Sequence, residues 1–239
     1  MPWQRGLWVR IPPSPPGKLF IGTTRVILNN MNFQDLKFEI GFWHPFGPHA
    51  GESTEDILKR KQEEIEKNNW TLWSFSYRTR DTLNSWYKEI AAKNPSSVLV
   101  FCSENMGDDT KSKPSYCNYY IPVGKTEPVE IPSVIDIPHP MGKKTRGSAF
   151  IVKKIIYPVP NNYGEILAGW FYSGQKKWQN HRSSTRGEHL IRSGGIKPIS
   201  KFCAILELQA PYLAEGGISK SFPTHMPRRS RFRNYLKHL

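Results

Sequence analysis

Between Leu36 and Cys102 the hydrophobic residues change period four times, and this switching limits the possible folds more than any other feature of the chain. Leu36, Phe38, Ile40 and Phe42 alternate, the period of two expected of a strand with one buried face. A stretch rich in Gly, Pro and His follows, from His44 to Glu52, and reads as a loop. Ser53, with Asp56 three residues on, reads as an N-cap and capping box that opens a helix over residues 54–67. Glu55–Lys59, Asp56–Arg60 and Glu63–Lys67 are placed for i,i+4 pairing. The apolar stripe of this helix is thin (Ile57, Leu58, Ile65), which predicts cover for a sheet edge, and Asn68-Asn69 ends it. Residues 71–77 return to strand character, with Trp73, Phe75 and Tyr77 on one face. A second helix is predicted over residues 81–93, its buried face formed by Leu83, Trp86, Tyr87 and Ile90. Asn94-Pro95 stops it. Val98, Leu99, Val100 and Phe101 then form an unbroken apolar run, as a central strand would.

The first part therefore reads β-α-β-α-β, which favours some parallel pairing with helices laid on the sheet. After Glu104 the pattern is β-dominated, with strands expected over residues 116–123, 131–137, 148–157, 166–172 and 202–208, and a polar interruption at Lys153-Lys154. The fold class expected is α+β: a mixed sheet from the N-terminal unit, continued by a β-rich second half and closed by a basic C-terminal tail. One domain over residues 31–218 and a tail over 219–239 complete the organisation. If residues 98–101 paired with 148–156, the architecture would resemble small RNA or modified-base readers of the PUA-like type, although no motif carries that resemblance.

Residues 1–30 stand apart. Leu7 to Pro16 has neither helical nor strand period, and its paired prolines favour polyproline II backbone. Val9-Arg10-Ile11-Pro12 is also what GTT-CGA-ATC-C encodes, a string typical of the T-arm of tRNA genes. Residues 1–30 are accordingly expected to be translated tRNA-gene and spacer sequence, a misannotated start, with the working protein beginning at Met31. The 3′ ends of tRNA genes are habitual insertion points for prophages and genomic islands, so cargo of a mobile element is the expected context.

The net charge of +14 is unevenly spread. Residues 1–30 contribute +4 and residues 219–239 contribute +6, neither segment containing an acid. The intervening body holds 24 basic and 20 acidic residues and is close to balance. With 38% hydrophobic and 13% aromatic residues the chain has the composition of a globular protein. No apolar run reaches the roughly 18 residues of a membrane helix, so no membrane partner is expected. Cys102, Cys117 and Cys203 make an odd count without a CxxC pair, as in reduced cytoplasmic proteins.

Two stretches carry candidate chemistry. In the first, His44, His49 and Glu52 lie between a strand and a helix N-terminus, where free backbone N–H groups favour an anion. They are candidate acid–base residues for a nuclease or other hydrolase. An ordered turn, with Trp43 and Phe46 packed and the histidines bonded to backbone, accounts for the same residues. Two histidines and one carboxylate fall short of a metal set, and no motif names a cofactor. In the second, Lys176, Lys177, Trp178, Arg182, Arg186 and Arg192 interleave basic groups with an aromatic, as a phosphate backbone and a stacked base require. Arg228, Arg229, Arg231 and Arg233 extend this nucleic-acid reading into the tail. A solvated basic loop would have the same composition. His189-Leu190-Ile191-Arg192 matches the His-x-x-Arg box of tyrosine recombinases, but that box belongs to a mainly helical domain and the Gly and Pro residues here predict strands. Binding of nucleic acid is the leading expectation, with a hydrolase and a protein–protein interaction module as alternatives.

Overall fold

A computed structural model describes residues 38–49, 51–104, 115–132, 138–139, 146–159, 166–171, 178–180, 187–195, 197–199 and 202–221, with backbone alone at 115–116, 138–139, 146, 170–171, 178–180 and 197–199. All lie within the compact unit Asn32–Leu239. The fold is mixed α+β and dominated by strands, as the patterning predicts.

The chain begins with β1 (Ile40–Phe46), α1 (Thr54–Asn68), β2 (Thr71–Phe75), α2 (Arg80–Lys93) and β3 (Leu99–Glu104). It continues through β4 (Ser115–Tyr116), β5 (Tyr119–Pro122), β6 (Val129–Glu130), β7 (Pro138–His139) and β8 (Arg146–Ile156). It ends with β9 (Ile166–Phe171), β10 (Trp178–Asn180), β11 (His189–Ser193), β12 (Lys197–Ile199) and β13 (Phe202–Gly217).

Local chemistry sets both helices. Ser53 accepts from the Asp56 N–H while the Asp56 carboxylate reaches back to the Ser53 N–H, completing the capping box. Thr79 caps α2 by accepting from the Thr82 N–H. Asn69 and Asn94 end the two helices in the left-handed conformation that Asn tolerates better than most side chains. The ion pairs of α1 differ from the expected i,i+4 set. Asp56 is occupied by Ser53, and Arg60 reaches Glu52 and Glu64.

β1 and β3 pair in parallel, with α1, β2 and α2 forming the crossover between them. β2 does not join them; it pairs with β8. The pairing of 98–101 with 148–156 that a PUA-like architecture would require is not made, because β13 lies between β3 and β8 and pairs with both. β13 is also longer than predicted. Its first half adjoins β3 and its last residues adjoin β5, with an irregularity between Leu208 and Leu213. β8 continues through Lys153-Lys154, but its register with β13 shifts there, Glu207 pairing with Lys154 and Leu208 with Val152. Of the strand expected over residues 131–137, positions 133–137 lie outside the described residues.

The path β2-β8-β13-β3-β1-β11 is strongly curled. Neighbouring strands lie about 4.8 Å apart, so in a flat sheet β1 and β8 would be about 14 Å apart. Yet the rings of Phe42 on β1 and Phe150 on β8 meet with centroids 5.0 Å apart. Ile40, Phe42, Phe46, Trp73, Phe75, Phe150, Val152 and Leu206 line the concave face, and both helices bury their stripes against it through Ile57, Leu58, Ile65, Leu83, Trp86 and Ile90. Alternation puts Leu72, Ala149, Ile151 and Ala214 on the other face, where they pack with Tyr120 and Ile131. Among the described residues no helix is long and apolar enough to cross a membrane.

Candidate functional site

The curl brings the C-terminal end of β2 to the beginning of β11, and buried polar side chains join them there. The strand β1 extends further than its alternation predicted, through His44 and Pro45 to Phe46. The antiparallel partner β11 begins, at His189, opposite Trp43, so Pro45 falls where β1 has only β3 as a neighbour among the described residues and its missing N–H is tolerated. His44 consequently sits on a strand, on the same face as Phe42 and Phe46, and is buried against Trp73 and Phe150.

Both ring nitrogens of His44 are engaged. The Trp73 indole Nε1–H donates to Nε2 at 3.1 Å. Nδ1 lies 3.0 Å from Glu188 Oε1. An indole nitrogen can only donate, so Nε2 carries the lone pair and Nδ1–H donates to Glu188. Glu188 is 2% exposed. Burial raises its pKa, but the hydrogen bond from His44, backbone bonding and the Arg78 guanidinium outweigh that and hold it below the ordinary carboxylate value. Arg78 Nη2 donates to the Glu188 main-chain oxygen at 3.2 Å and lies 3.5 Å from Oε2. The Arg78 backbone N–H is held by Ser148 Oγ at 2.9 Å. The result is a chain of four side chains, Trp73–His44–Glu188–Arg78, spanning a seam that no strand pair bridges among the described residues.

The other residues of the His-rich stretch go elsewhere. His49 and Glu52 exchange backbone hydrogen bonds of 3.0 and 2.9 Å, closing a tight turn. The Glu52 carboxylate is taken in fork fashion by Arg60, Nε to Oε1 at 2.9 Å and Nη2 to Oε2 at 2.8 Å. Arg60 Nη1 continues to Glu64 Oε1 at 3.2 Å, and Glu64 Oε2 takes Lys61 Nζ at 2.7 Å and the Thr71 hydroxyl. Lys61, Glu64 and Thr71 are all buried, so this second network ties α1 to the start of β2. His44 and Glu52 thus belong to separate networks and share no partner among the described residues.

Trp43, one residue from His44, faces the opposite side. Its ring stacks on His189 with centroids 5.7 Å apart, and its Nε1–H donates to Ser103 Oγ at 2.7 Å. His189 to Ser193 form a strand, β11, which is not the setting of a recombinase His-x-x-Arg box. Arg192 on that strand pairs with Glu89 of α2. Glu207 pairs with Lys153 at 3.0 Å. Of the other basic candidates, Lys176, Lys177, Arg182, Arg186, Arg228, Arg229, Arg231 and Arg233 lie outside the described residues, and Trp178 is described only as backbone, in β10 opposite Phe171. Among the described residues no group of three His, Cys, Asp or Glu side chains gathers as a metal site.

Sequence reasoning missed Trp73, Arg78 and Glu188 as partners of His44. Glu188 is 144 positions away, and no local spacing signals a pair made only when a sheet curls. A scan against protein-family models, a search of curated proteins and a search of solved structures each found no match to this chain.

Proposed function

We propose that this chain binds nucleic acid, its folded body acting as a charge-neutral scaffold for the basic stretch 176–192 and the basic tail. The observation that carries the reading is where charge is left over. The described residues hold fifteen basic and fifteen acidic side chains, so the net charge falls on the remaining segments, of which residues 1–30 hold +4, residues 172–186 hold +4 and residues 222–239 hold +5. Within the body Arg60 is spent on Glu52 and Glu64, and Arg192 on Glu89. Lys176, Lys177, Arg182 and Arg186 are grouped within eleven positions, beside Trp178, and four arginines lie between 228 and 233. Clustered cations with an aromatic suit phosphates and stacked bases.

The hydrolase reading of His44, His49 and Glu52 has less support. A general base needs a free ring nitrogen at the surface, and both nitrogens of His44 are bonded inside the core. Glu52 spends both oxygens on Arg60.

Salt titration of binding to mixed-sequence oligonucleotides, single-stranded and duplex, tests the proposal. Six or more phosphate contacts predict a loss of about a thousandfold or more in affinity between about 50 and 200 mM salt. Replacing Lys176, Lys177, Arg182 and Arg186 with Ala is expected to flatten that dependence. Absence of detectable binding at low salt would refute the reading.

A further inference from the structure

We infer that Arg78 is a phosphate-contacting residue, an arginine fixed in place at the root of the basic stretch; this rests on the nucleic-acid reading above and names a contact within the folded body.

Four observations carry it. First, the guanidinium is only partly covered, with 30% of the side chain exposed. Second, only one of its nitrogens is spent. Nη2 faces the main-chain oxygen and Oε2 of Glu188, while Nε and Nη1 have no partner among the described residues. Third, the group is held from behind at several points. Glu188 is buried and bonded to His44, His44 is fixed by Trp73, and the Arg78 backbone is tied to Ser148 on β8. Fourth, it lies against the backbone of Gly187, where a Cβ atom would come within 2.6 Å of Nη2. Gly187 follows directly on Arg186, the last cation of the basic stretch before β11. Its φ of 80° is one that other residues rarely adopt, so glycine here supplies both the turn and the space for the guanidinium.

The chemistry follows from that placement. An arginine free in solvent gives up rotamer entropy when it grips a phosphate, whereas one already clamped by a carboxylate loses little. The clamping carboxylate is buried behind the guanidinium, which leaves the remaining N–H donors for an external acceptor. A phosphate oxygen matches them in charge and geometry. Arg80, two residues on, is exposed and hydrogen-bonds the Lys125 main-chain oxygen, but no buried partner holds it, so it serves as the control for loss of one positive charge.

The experiment is a salt titration of oligonucleotide binding by Arg78→Ala, Arg80→Ala, Arg78→Lys and the variant lacking Lys176, Lys177, Arg182 and Arg186. Arg78→Ala is expected to bind roughly five- to tenfold more weakly at low salt and to lower the slope of log affinity against log salt by about one phosphate contact. Arg80→Ala should change affinity less than about twofold. Arg78→Lys should recover the slope but only part of the affinity, since it keeps the charge and loses the fork. If Arg78→Ala does not fold, Arg78→Gln, which keeps a donor for the Glu188 carbonyl, gives the same comparison. Inorganic phosphate and a mononucleotide serve as competitors. If the strand phosphate is the ligand, they displace it only at high concentration; if either binds Arg78 as tightly as the oligonucleotide does, the proposed contact with a strand is overturned. Wild-type slope and affinity in Arg78→Ala, with loss of binding in the fourfold variant, would overturn the inference and leave the nucleic-acid reading standing. No binding by the wild-type chain would remove both.

Discussion

Replacing Glu188 tests the seam most directly, because this one carboxylate holds both His44 and Arg78. Glu188→Ala deletes the acceptor of the His44 Nδ1–H and one of the two acceptors facing Arg78 Nη2. Stripping the partner from a buried donor costs about 1–3 kcal/mol. Breaking a buried ion pair from one side costs about 3–5 kcal/mol. Arg78 is 30% exposed and keeps the Glu188 main-chain oxygen, so its share falls at the low end, and about 2–4 kcal/mol is expected overall. For a domain of this size each kcal/mol lowers Tm by about 2–4 °C, which predicts a loss of about 10 °C. Glu188→Gln keeps an acceptor for His44 and loses only the charge assistance, about 1–2 kcal/mol. The pH dependence has a definite sign. A carboxyl held below its ordinary value stabilises the fold above the unfolded-state pKa of about 4.3, and that stabilisation is lost as pH falls through the folded-state value. The difference between wild type and Glu188→Gln should therefore be full at neutral pH and close on acidification below about pH 4. Urea unfolding followed by the fluorescence of the buried Trp43, Trp73 and Trp86 measures it. A difference that persists unchanged into acid, or a Glu188→Ala variant melting within about 1 °C of wild type, would refute the reasoning.

Other outcomes follow from the same networks. Nitrogen-15 NMR of the His44 ring should show the Nδ1–H tautomer at neutral pH, and Trp73→Phe should cost about 1–3 kcal/mol by leaving Nε2 without its donor; a proton on Nε2 in the wild type would contradict the assignment. Lys61→Met should destabilise by about 3 kcal/mol in denaturant titrations, and adding Glu64→Gln should recover part of that, since the first change takes the ammonium partner from a buried carboxylate. Thiol reactivity should be low in the folded state at pH 8. Burial pushes Cys117 up to about 12 and Cys203 up to about 11, and Cys102 is raised well above its usual value by burial and by Cys203 beside it. Alkylation read by mass spectrometry should label Cys203, the partly exposed one, before the other two; rapid labelling of Cys102 in the native protein would show that β3 opens.

Much of the local structure was legible because it is locally caused. Ser53 with Asp56, Asn69 and Asn94 mark helix boundaries through bonds made within a few residues, and both helices lie within a residue of where the sequence puts them. The candidate site was less legible for the opposite reason. Proximity in sequence suggested that His44, His49 and Glu52 act together, but strand alternation turns His44 into the core while the turn hands Glu52 to Arg60. The thin apolar stripe of α1 proved accurate. What the sequence did not show is that Lys61 and Glu64 beside that stripe are buried too, each satisfying the other. A charged residue reads as exposed until its partner is known.

The period of the hydrophobic residues, the caps and the breakers thus determined by themselves the class of the fold and the two helices, and favoured the parallel pairing that β1 and β3 make. Sheet order was decided by tertiary structure. Nothing local tells β13 to separate β3 from β8, because any strand with one apolar face pairs acceptably with another until the whole sheet is packed. The curl follows from that order, and with it the meeting of Trp73, His44, Glu188 and Arg78. Those four residues come from three well-separated parts of the chain, Trp73 and Arg78 from one of them, so their hydrogen bonds are a property of the closed sheet and of no segment within it.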